Sequence, residues 1–255
     1  MSASSSKSET PGRHLRIAGT YNVRDIGGYE TADGGRTRWR TYLRADSLHK
    51  VPPPAQRELL DTALRTIIDL RRERELAKTP NVFAGSEEVE YRHMNLITDT
   101  DPDGYGDPGE GPAWIAQSYR LLIDNRKAQI GRIMGALAEP QLVPALFHCA
   151  GGADRTGIIA ALLLGLARVP EETIAADYHL TAPTLVKRYT EDGPPPGWSE
   201  DDLRRAERLD YLAPAETMQI ALQHLGDSYG GVEGYVREIG LSSVQIESIR
   251  RLFVD

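Results

Sequence analysis

The sequence predicts an α/β fold: a mostly parallel central sheet of four or five strands, flanked by helices and followed by a helical C-terminal part. Three observations carry that expectation. Short apolar runs at Thr37–Leu43, Thr66–Leu70, Val89–Leu96 and Leu142–Phe147 alternate with segments of helical period, the βαβ rhythm of a parallel sheet. The last run passes through a glycine-rich stretch, Cys149–Gly157, into Ile158–Ala167, an apolar run broken only by Gly165. That is the pattern of a buried strand turning into a buried helix. Beyond Val169 the patterned segments all read as helices.

Bulk properties narrow the function classes. The 255 residues suit one domain, expected as a disordered tail over 1–13 and a single unit over 14–255, with a core over 14–190 and a helical part over 198–255. A hydrophobic content of 40% with 26% charged residues is that of a soluble globular protein. The net charge of −7 argues against nucleic-acid and anionic-membrane partners. No run approaches the roughly 20 apolar residues of a membrane span, and the N-terminus lacks the apolar stretch of a secretory signal. A cytoplasmic location is therefore expected, with non-classical export left open. The single cysteine, Cys149, allows no intramolecular disulfide. No Cys/His cluster has metal-ligand spacing, so neither metal nor cofactor is expected. The oligomeric state is not legible.

The elements follow in order. Met1 to Arg13 is Ser-rich and without apolar pattern. Leu15 to Val23 is expected to enter the fold as a strand, and Asp25-Ile26-Gly27-Gly28 to turn, held by Asp25. The strand at Thr37–Leu43 leads into Arg44 and Asp46. Pro52–Pro54 breaks the chain before a helix at Ala55–Ala63, and the strand at Thr66–Leu70 ends in Asp69-Leu70-Arg71. Open parallel sheets bind ligands beyond the carboxyl ends of their strands, which places Arg44, Asp46, Asp69 and Arg71 near the glycine-rich loop. A salt-bridge net bracing that loop is preferred to direct substrate contact. Thr98–Pro112 is polar and glycine-rich and reads as a mobile loop. Its Asp spacing lacks the bidentate Glu of an EF-hand, so calcium is discounted. Trp114–Leu137 is expected as one long amphipathic helix, its stripe of Ile115, Tyr119, Leu122, Ile130, Ile133, Met134 and Leu137 showing some drift. A helix opens at Pro170-Glu171-Glu172 and runs to Thr181. Glu191–Gly197 is a flexible connector, and Ser199-Glu200-Asp201-Asp202 reads as an N-cap. Helices follow at Asp201–Leu209, Ala215–Leu225, Val232–Ile239 and Val244–Phe253.

The loop carries the chemistry. Glycines let successive N–H groups turn inward, and the helix behind them adds its unpaired donors and positive dipole end. Cys149, facing those donors, is expected as a thiolate. Arg155 supplies a planar fork for phosphate oxygens, and the amides of Ala150, Gly151, Gly152 and Ala153 supply the cradle. Thr156 can offer its hydroxyl to the sulfur. This set suits in-line attack on a phosphate monoester through a cysteinyl-phosphate intermediate. A general acid is also needed. Asp154, fixed between Arg155 and the helix, is preferred to Asp99 or Asp101 on the unsecured loop. The plainer reading of Asp154 is a helix cap.

His148-Cys149-x-x-Gly152-x-x-Arg155-Thr156-Gly157 resembles the signature of cysteine-dependent protein tyrosine phosphatases. With Asp154 before Arg155 it is similar to the bacterial tyrosine/serine phosphatase family, some of whose members also hydrolyse phosphoinositides. Asn22–Gly28, Leu43–Leu48 and Ile68–Arg71 with Glu75 are similar to that family's pattern too. The resemblance implies a metal-independent phosphatase acting on phosphorylated protein, most directly phosphotyrosine. Dual-specificity or phosphoinositide hydrolysis is the alternative, and a non-catalytic phospho-residue binding module is the alternative of another class. It also implies that His148 orders the loop, that Asp25 acts at a remove from the substrate, and that the Asp99–Asp101 loop is the place where related enzymes carry an acid. Where lipid-active members often have lysine, this chain has Ala153, which weakens the case for polyphosphorylated lipids.

Overall fold

The computed structural model describes residues 12–101, 111–194, 204 and 212–255. The expected tail, the centre of the Thr98–Pro112 loop, and the Ser199–Asp202 cap with its helix lie wholly or largely outside these. The strands are β1 (Arg24–Asp25), β2 (Tyr42–Ala45), β3 (Thr66–Asp69), β4 (Glu90–His93) and β5 (Ala145–His148). They form one five-stranded sheet in the order β1-β2-β5-β3-β4, with β1 antiparallel and the other pairings parallel. β5, the last strand among the described residues, lies at the centre, so the crossovers return the chain to the middle of the sheet.

Alternation along the strands separates two cores. Tyr42, Ile68, Ala145 and Phe147 face one cluster; Leu43, Ile67 and Leu146 face the other. The larger core lies under α3 (Gly111–Asn125), α4 (Lys127–Leu137), α5 (Asp154–Leu166) and α6 (Glu171–His179), with contributions from α8 (Ala215–Tyr229), α9 (Val232–Glu238) and α10 (Ser243–Phe253). The smaller is closed by α1 (Pro53–Leu60), the N-terminal segment and Phe83. α2 (Glu73–Lys78) and α7 (Thr181–Asp192) complete the described helices. α5 is buried along nearly its whole length, as expected of an apolar helix packed between sheet and helices. Gly165 in α5 is required by a close approach: a Cβ there would lie 2.7 Å from Val232 Cγ2.

Several expectations change. The long helix over Trp114–Leu137 is two helices, broken at Arg126, whose φ of −115° and ψ of 28° leave the helical region. The drift in the apolar stripe marks this break: each half keeps its own phase against the core. The expected strand at Leu15–Val23 is not formed. The segment is turned back on itself by the hydrogen bond from Thr20 N to Ile17 O (3.2 Å), and Leu15 N meets Val23 O at 3.0 Å. The strand expected at 37–43 begins only at Tyr42, because Arg40 takes a left-handed φ of 60°. A separate helix, α7, runs to Asp192 across the start of the expected connector.

Candidate active site

The parallel register sets Ala45, His148 and Asp69 side by side at one end of the sheet. The residues that follow them meet there. Beyond His148 the chain makes a tight turn, Cys149–Ala153, and enters α5 at Asp154. Gly152 has a φ of 69°, and a Cβ on it would lie 2.7 Å from Ala45 O and 2.8 Å from Asn22 Nδ2. Only glycine fits both the backbone and the space.

The loop carbonyls point outward and are held there. Ala150 O accepts from Ser47 N (3.1 Å) and from Arg188 Nη1 (2.6 Å). Gly151 O accepts from Asn22 Nδ2 (3.2 Å) and Gly152 O from Arg44 Nη2 (2.8 Å). Peptide planarity then turns the opposite edges inward. The amides of Ala150–Ala153 donate to no group among the described residues. They stand with the free donors of the first turn of α5, the arrangement that binds an oxyanion. Cys149 sits at the base, 2% exposed. Thr156 is fully buried, and its Oγ1 has no hydrogen-bond partner among the described residues, the sulfur included.

Arg155 reaches back across the loop to a fork–fork pair with Glu75 of α2, Nη1 to Oε2 at 2.6 Å and Nη2 to Oε1 at 3.0 Å. Burial pulls its pKa down, but the charges of Cys149 and Glu75 outweigh that and raise it. Burial likewise pushes Glu75 up, yet Arg155 holds it below its ordinary value. The orientation of this guanidinium is therefore fixed by a bidentate carboxylate.

A second ring of polar groups braces the turn. Asp177 of α6 is fully buried between Arg44 Nη1 (2.7 Å) and Arg24 Nε (3.3 Å), and it also accepts from Tyr29 Oη (2.9 Å). Burial pushes its carboxyl up, and the two guanidiniums more than reverse this. Arg24 pays the reciprocal cost: burial, then the neighbouring Arg44, lower its pKa to about 10. Asp46 accepts from Asn22 N (2.9 Å), and its burial raises its carboxyl. On the other side His148 Nε2 lies 3.2 Å from Asp69 Oδ2 and 2.9 Å from Asn81 Nδ2. Asp69 also takes Arg71 Nη2 (2.7 Å) and Tyr91 Oη (3.1 Å). Its burial is outweighed by His148 and Arg71, which hold it well below the carboxylate range. Asp25 is placed elsewhere: it accepts from Gly27 N and Arg40 N, both at 2.8 Å, and holds the turn rather than the loop.

The three candidate acids have distinct surroundings. Asp154 is exposed on the first turn of α5, and its Oδ1 accepts from Tyr119 Oη at 2.7 Å. The Tyr119 hydroxyl in turn lies 2.7 Å from that of Tyr178. Burial, reinforced by Asp154, keeps both phenols far above their ordinary pKa, so they remain donors. Asp99 accepts from Arg74 N at 3.1 Å, at the start of α2. Asp101 is paired with Arg126 and accepts from Thr98 N at 2.6 Å. Both loop acids are thus committed to neighbours outside the glycine-rich turn.

Comparison with known proteins agrees with this geometry. The model of the tyrosine phosphatase family matches residues 15–255. The chain belongs to the tyrosine phosphatase family. Among its relatives is a tyrosine-protein phosphatase of Nostoc commune, 27% identical over 222 residues, which cover 82% of this chain and 72% of that one. Another is the triple specificity protein phosphatase PtpB of Mycobacterium tuberculosis, 24% identical over 278 residues, covering 92% of this chain and 96% of the relative. The family and these relatives support phosphatase activity. Among the described residues no group of three or more His, Cys, Asp or Glu could hold a metal ion, and no helix is long and apolar enough to cross a membrane.

The sequence alone does not single out Tyr119, Tyr178, Asp177, Asn81 or Arg188. Tyr119 lies within the apolar stripe of its helix, where an aromatic reads as core. Arg188 lies on α7, in the stretch 182–190 to which the sequence assigns no element. Asp177, in the middle of a helix, is an unusual residue to bury, and that was the available signal.

Proposed function

We propose that the protein hydrolyses phosphotyrosine through a cysteinyl-phosphate intermediate at Cys149. The observation that carries this is the Arg155 guanidinium, held by Glu75, together with a turn whose Ala150, Gly151 and Gly152 carbonyls are all engaged by groups outside it. The inward amides and Arg155 bind the non-bridging phosphoryl oxygens and take up their charge as the transition state forms. Cys149 Sγ attacks phosphorus in line with the ester oxygen. The S–P bond forms, the P–O bond breaks, and Asp154 gives its proton to the departing phenolate. A water then attacks the phosphocysteine, Asp154 takes its proton, and the thiolate leaves with inorganic phosphate. Thr156 Oγ1, buried in the first turn of α5 and without a partner among the described residues, is the hydroxyl proposed to turn to that leaving sulfur. His148, bridged to Asp69 and Asn81, positions the strand end. Arg44, Asp46 and Arg71 brace the turn rather than touch substrate.

The depth of Cys149, 2% exposed, favours the long aryl arm of phosphotyrosine over the short phosphoserine. A second reading, dual-specificity or phosphoinositide hydrolysis, draws support from the triple specificity in the name of the mycobacterial relative. The uncharged Ala153 in the loop opposes its lipid arm. Turnover of a panel of phosphotyrosine, phosphoserine and phosphothreonine peptides and phosphoinositides separates them. The expected order puts phosphotyrosine first in kcat/KM, and an inositol lipid at the head of the panel contradicts it.

A further inference from the structure

Among the described residues, the cations around the loop form close ion pairs with carboxylates, except Arg188, whose charge acts on Asp46 and Asp192 only from beyond 4.0 Å. Arg155 is paired with Glu75, Arg24 and Arg44 with Asp177, and Arg71 with Asp69. Arg188 of α7 forms no ion pair among the described residues. The nearby acids are engaged: Asp46 by backbone amides, Asp192 by Lys50 at 2.9 Å and Glu191 by Lys187 at 3.9 Å. Arg188 nevertheless has a fixed position. Its Nη1 donates to Ala150 O at 2.6 Å, one residue from Cys149. A Cβ on Gly151 would lie 3.8 Å from that nitrogen and 3.3 Å from Leu185 Cδ2, so this face of α7 packs on the loop. With Nη1 used, the Nε–Nη2 edge has no partner among the described residues.

We propose that this edge of Arg188 is a second anion subsite on the rim of the loop, taking the carboxylate of an acidic residue beside the phosphotyrosine of a peptide substrate. The proposal rests on the phosphatase reading above and names its substrate class more closely. A guanidinium edge presents two parallel N–H groups, which match a carboxylate side-on. Because Nη1 is anchored, little side-chain freedom is lost on binding. A polyphosphorylated lipid headgroup fits less well. It needs several cations, whereas Ala153 contributes none, and Lys50 and Lys187 are already paired. The net charge of −7 also opposes an anionic membrane surface.

The test compares two phosphotyrosine peptides that differ only in Glu or Gln beside the phosphoresidue, using the full chain. The wild type is expected to favour the Glu peptide about tenfold in kcat/KM, mostly through KM, with the preference shrinking as salt is added. In Arg188→Ala the ratio between the peptides should fall to about one; in Arg188→Lys, which keeps the charge but not the fork, it should lie between. Using a ratio within each variant removes any general loss of activity. A wild-type ratio near one overturns the subsite, as does an unchanged ratio in Arg188→Ala, the result expected of a mere brace on Ala150. Selective loss of activity on vesicles containing an inositol bisphosphate, with the peptide ratio intact, also overturns it. Wild-type turnover of nitrophenyl phosphate without a Glu preference defeats the subsite alone. A wild type inactive on every monoester defeats the phosphatase reading and the subsite with it.

Discussion

The acid is the part of the mechanism that the geometry constrains most sharply. Protonating a poor leaving group contributes about 10²–10⁴-fold, or roughly 3–5 kcal/mol, so Asp154→Asn is expected to slow phenyl phosphate by about 10² and nitrophenyl phosphate far less. The structure adds a second perturbation. The Tyr119 hydroxyl donates to Asp154 Oδ1 at 2.7 Å, which leaves the other carboxylate oxygen available for proton transfer in the proposed mechanism. A hydrogen bond to a charged group is worth about 1.5–3 kcal/mol, but part of that is made equally in ground and transition states. Tyr119→Phe should therefore cost about tenfold on phenyl phosphate and leave nitrophenyl phosphate within about threefold. Because the chain continues to Tyr178 at 2.7 Å, Tyr178→Phe should cost less than Tyr119→Phe. The assay is kcat for a series of aryl phosphates of rising leaving-group pKa in each variant, with the pH profile of kcat beside it. Asp99→Asn and Asp101→Asn should keep the wild-type slope, since those carboxylates are spent on Arg74 and on Thr98 and Arg126. A steeper leaving-group dependence in either loop variant than in Asp154→Asn would refute the assignment and make Asp154 a helix cap alone.

Arg155→Lys removes the fork but keeps the charge, and kcat/KM is expected to drop by several kcal/mol; a rate within twofold of wild type contradicts the clamp. Asp177→Asn leaves Arg24 and Arg44 buried without their counter-charge and should cost about 3–5 kcal/mol in chemical denaturation at neutral pH; a loss under about 1 kcal/mol would show the pair to be dispensable. Asp69 and Asp177 both have carboxyls held below their ordinary range, so the folded state binds fewer protons there than the unfolded chain. Their stabilisation is complete above about pH 4 and is lost as pH falls below it, so acid titration of stability should be shallower in Asp177→Asn than in wild type. Ala153→Lys should raise kcat/KM on phosphoinositides relative to phosphotyrosine peptides, and an unchanged ratio would show that this position does not read charge.

The centre of the sheet was legible because β3 and β5 are buried on both faces and lie in apolar runs, whereas the edge strand β4 is half exposed. Leu142–Phe147 and Thr66–Leu70 needed nothing but composition. β2 was misplaced because the turn at Arg40 is set by tertiary contacts: Thr37 N and O bond within the N-terminal turn, and Arg40 N donates to Asp25. The break at Arg126 showed in the sequence only as drift in the apolar stripe, which signals a change of phase without fixing where it falls. In the site, the residues that make up the loop were legible, being contiguous. Those that position it were legible where they fell at strand ends, as Arg44, Asp46, Asp69 and Arg71 do, or in the family-like segments, as Asn22 and Glu75 do. Asp177, Tyr119 and Arg188 come from helices, where spacing gives a face but not the partner across the gap.

The central claim is that Cys149 becomes covalently phosphorylated during turnover. Rapid acid quench of the enzyme with an aryl phosphate, followed by mass spectrometry of the Cys149 peptide, measures this directly. The expected result is a phosphoryl adduct on Cys149 that forms within the first turnover. It should accumulate further in Asp154→Asn when an activated ester is used, because loss of the base slows hydrolysis more than formation. Unmodified Cys149 at every quench time, alongside steady release of phosphate, would contradict the account.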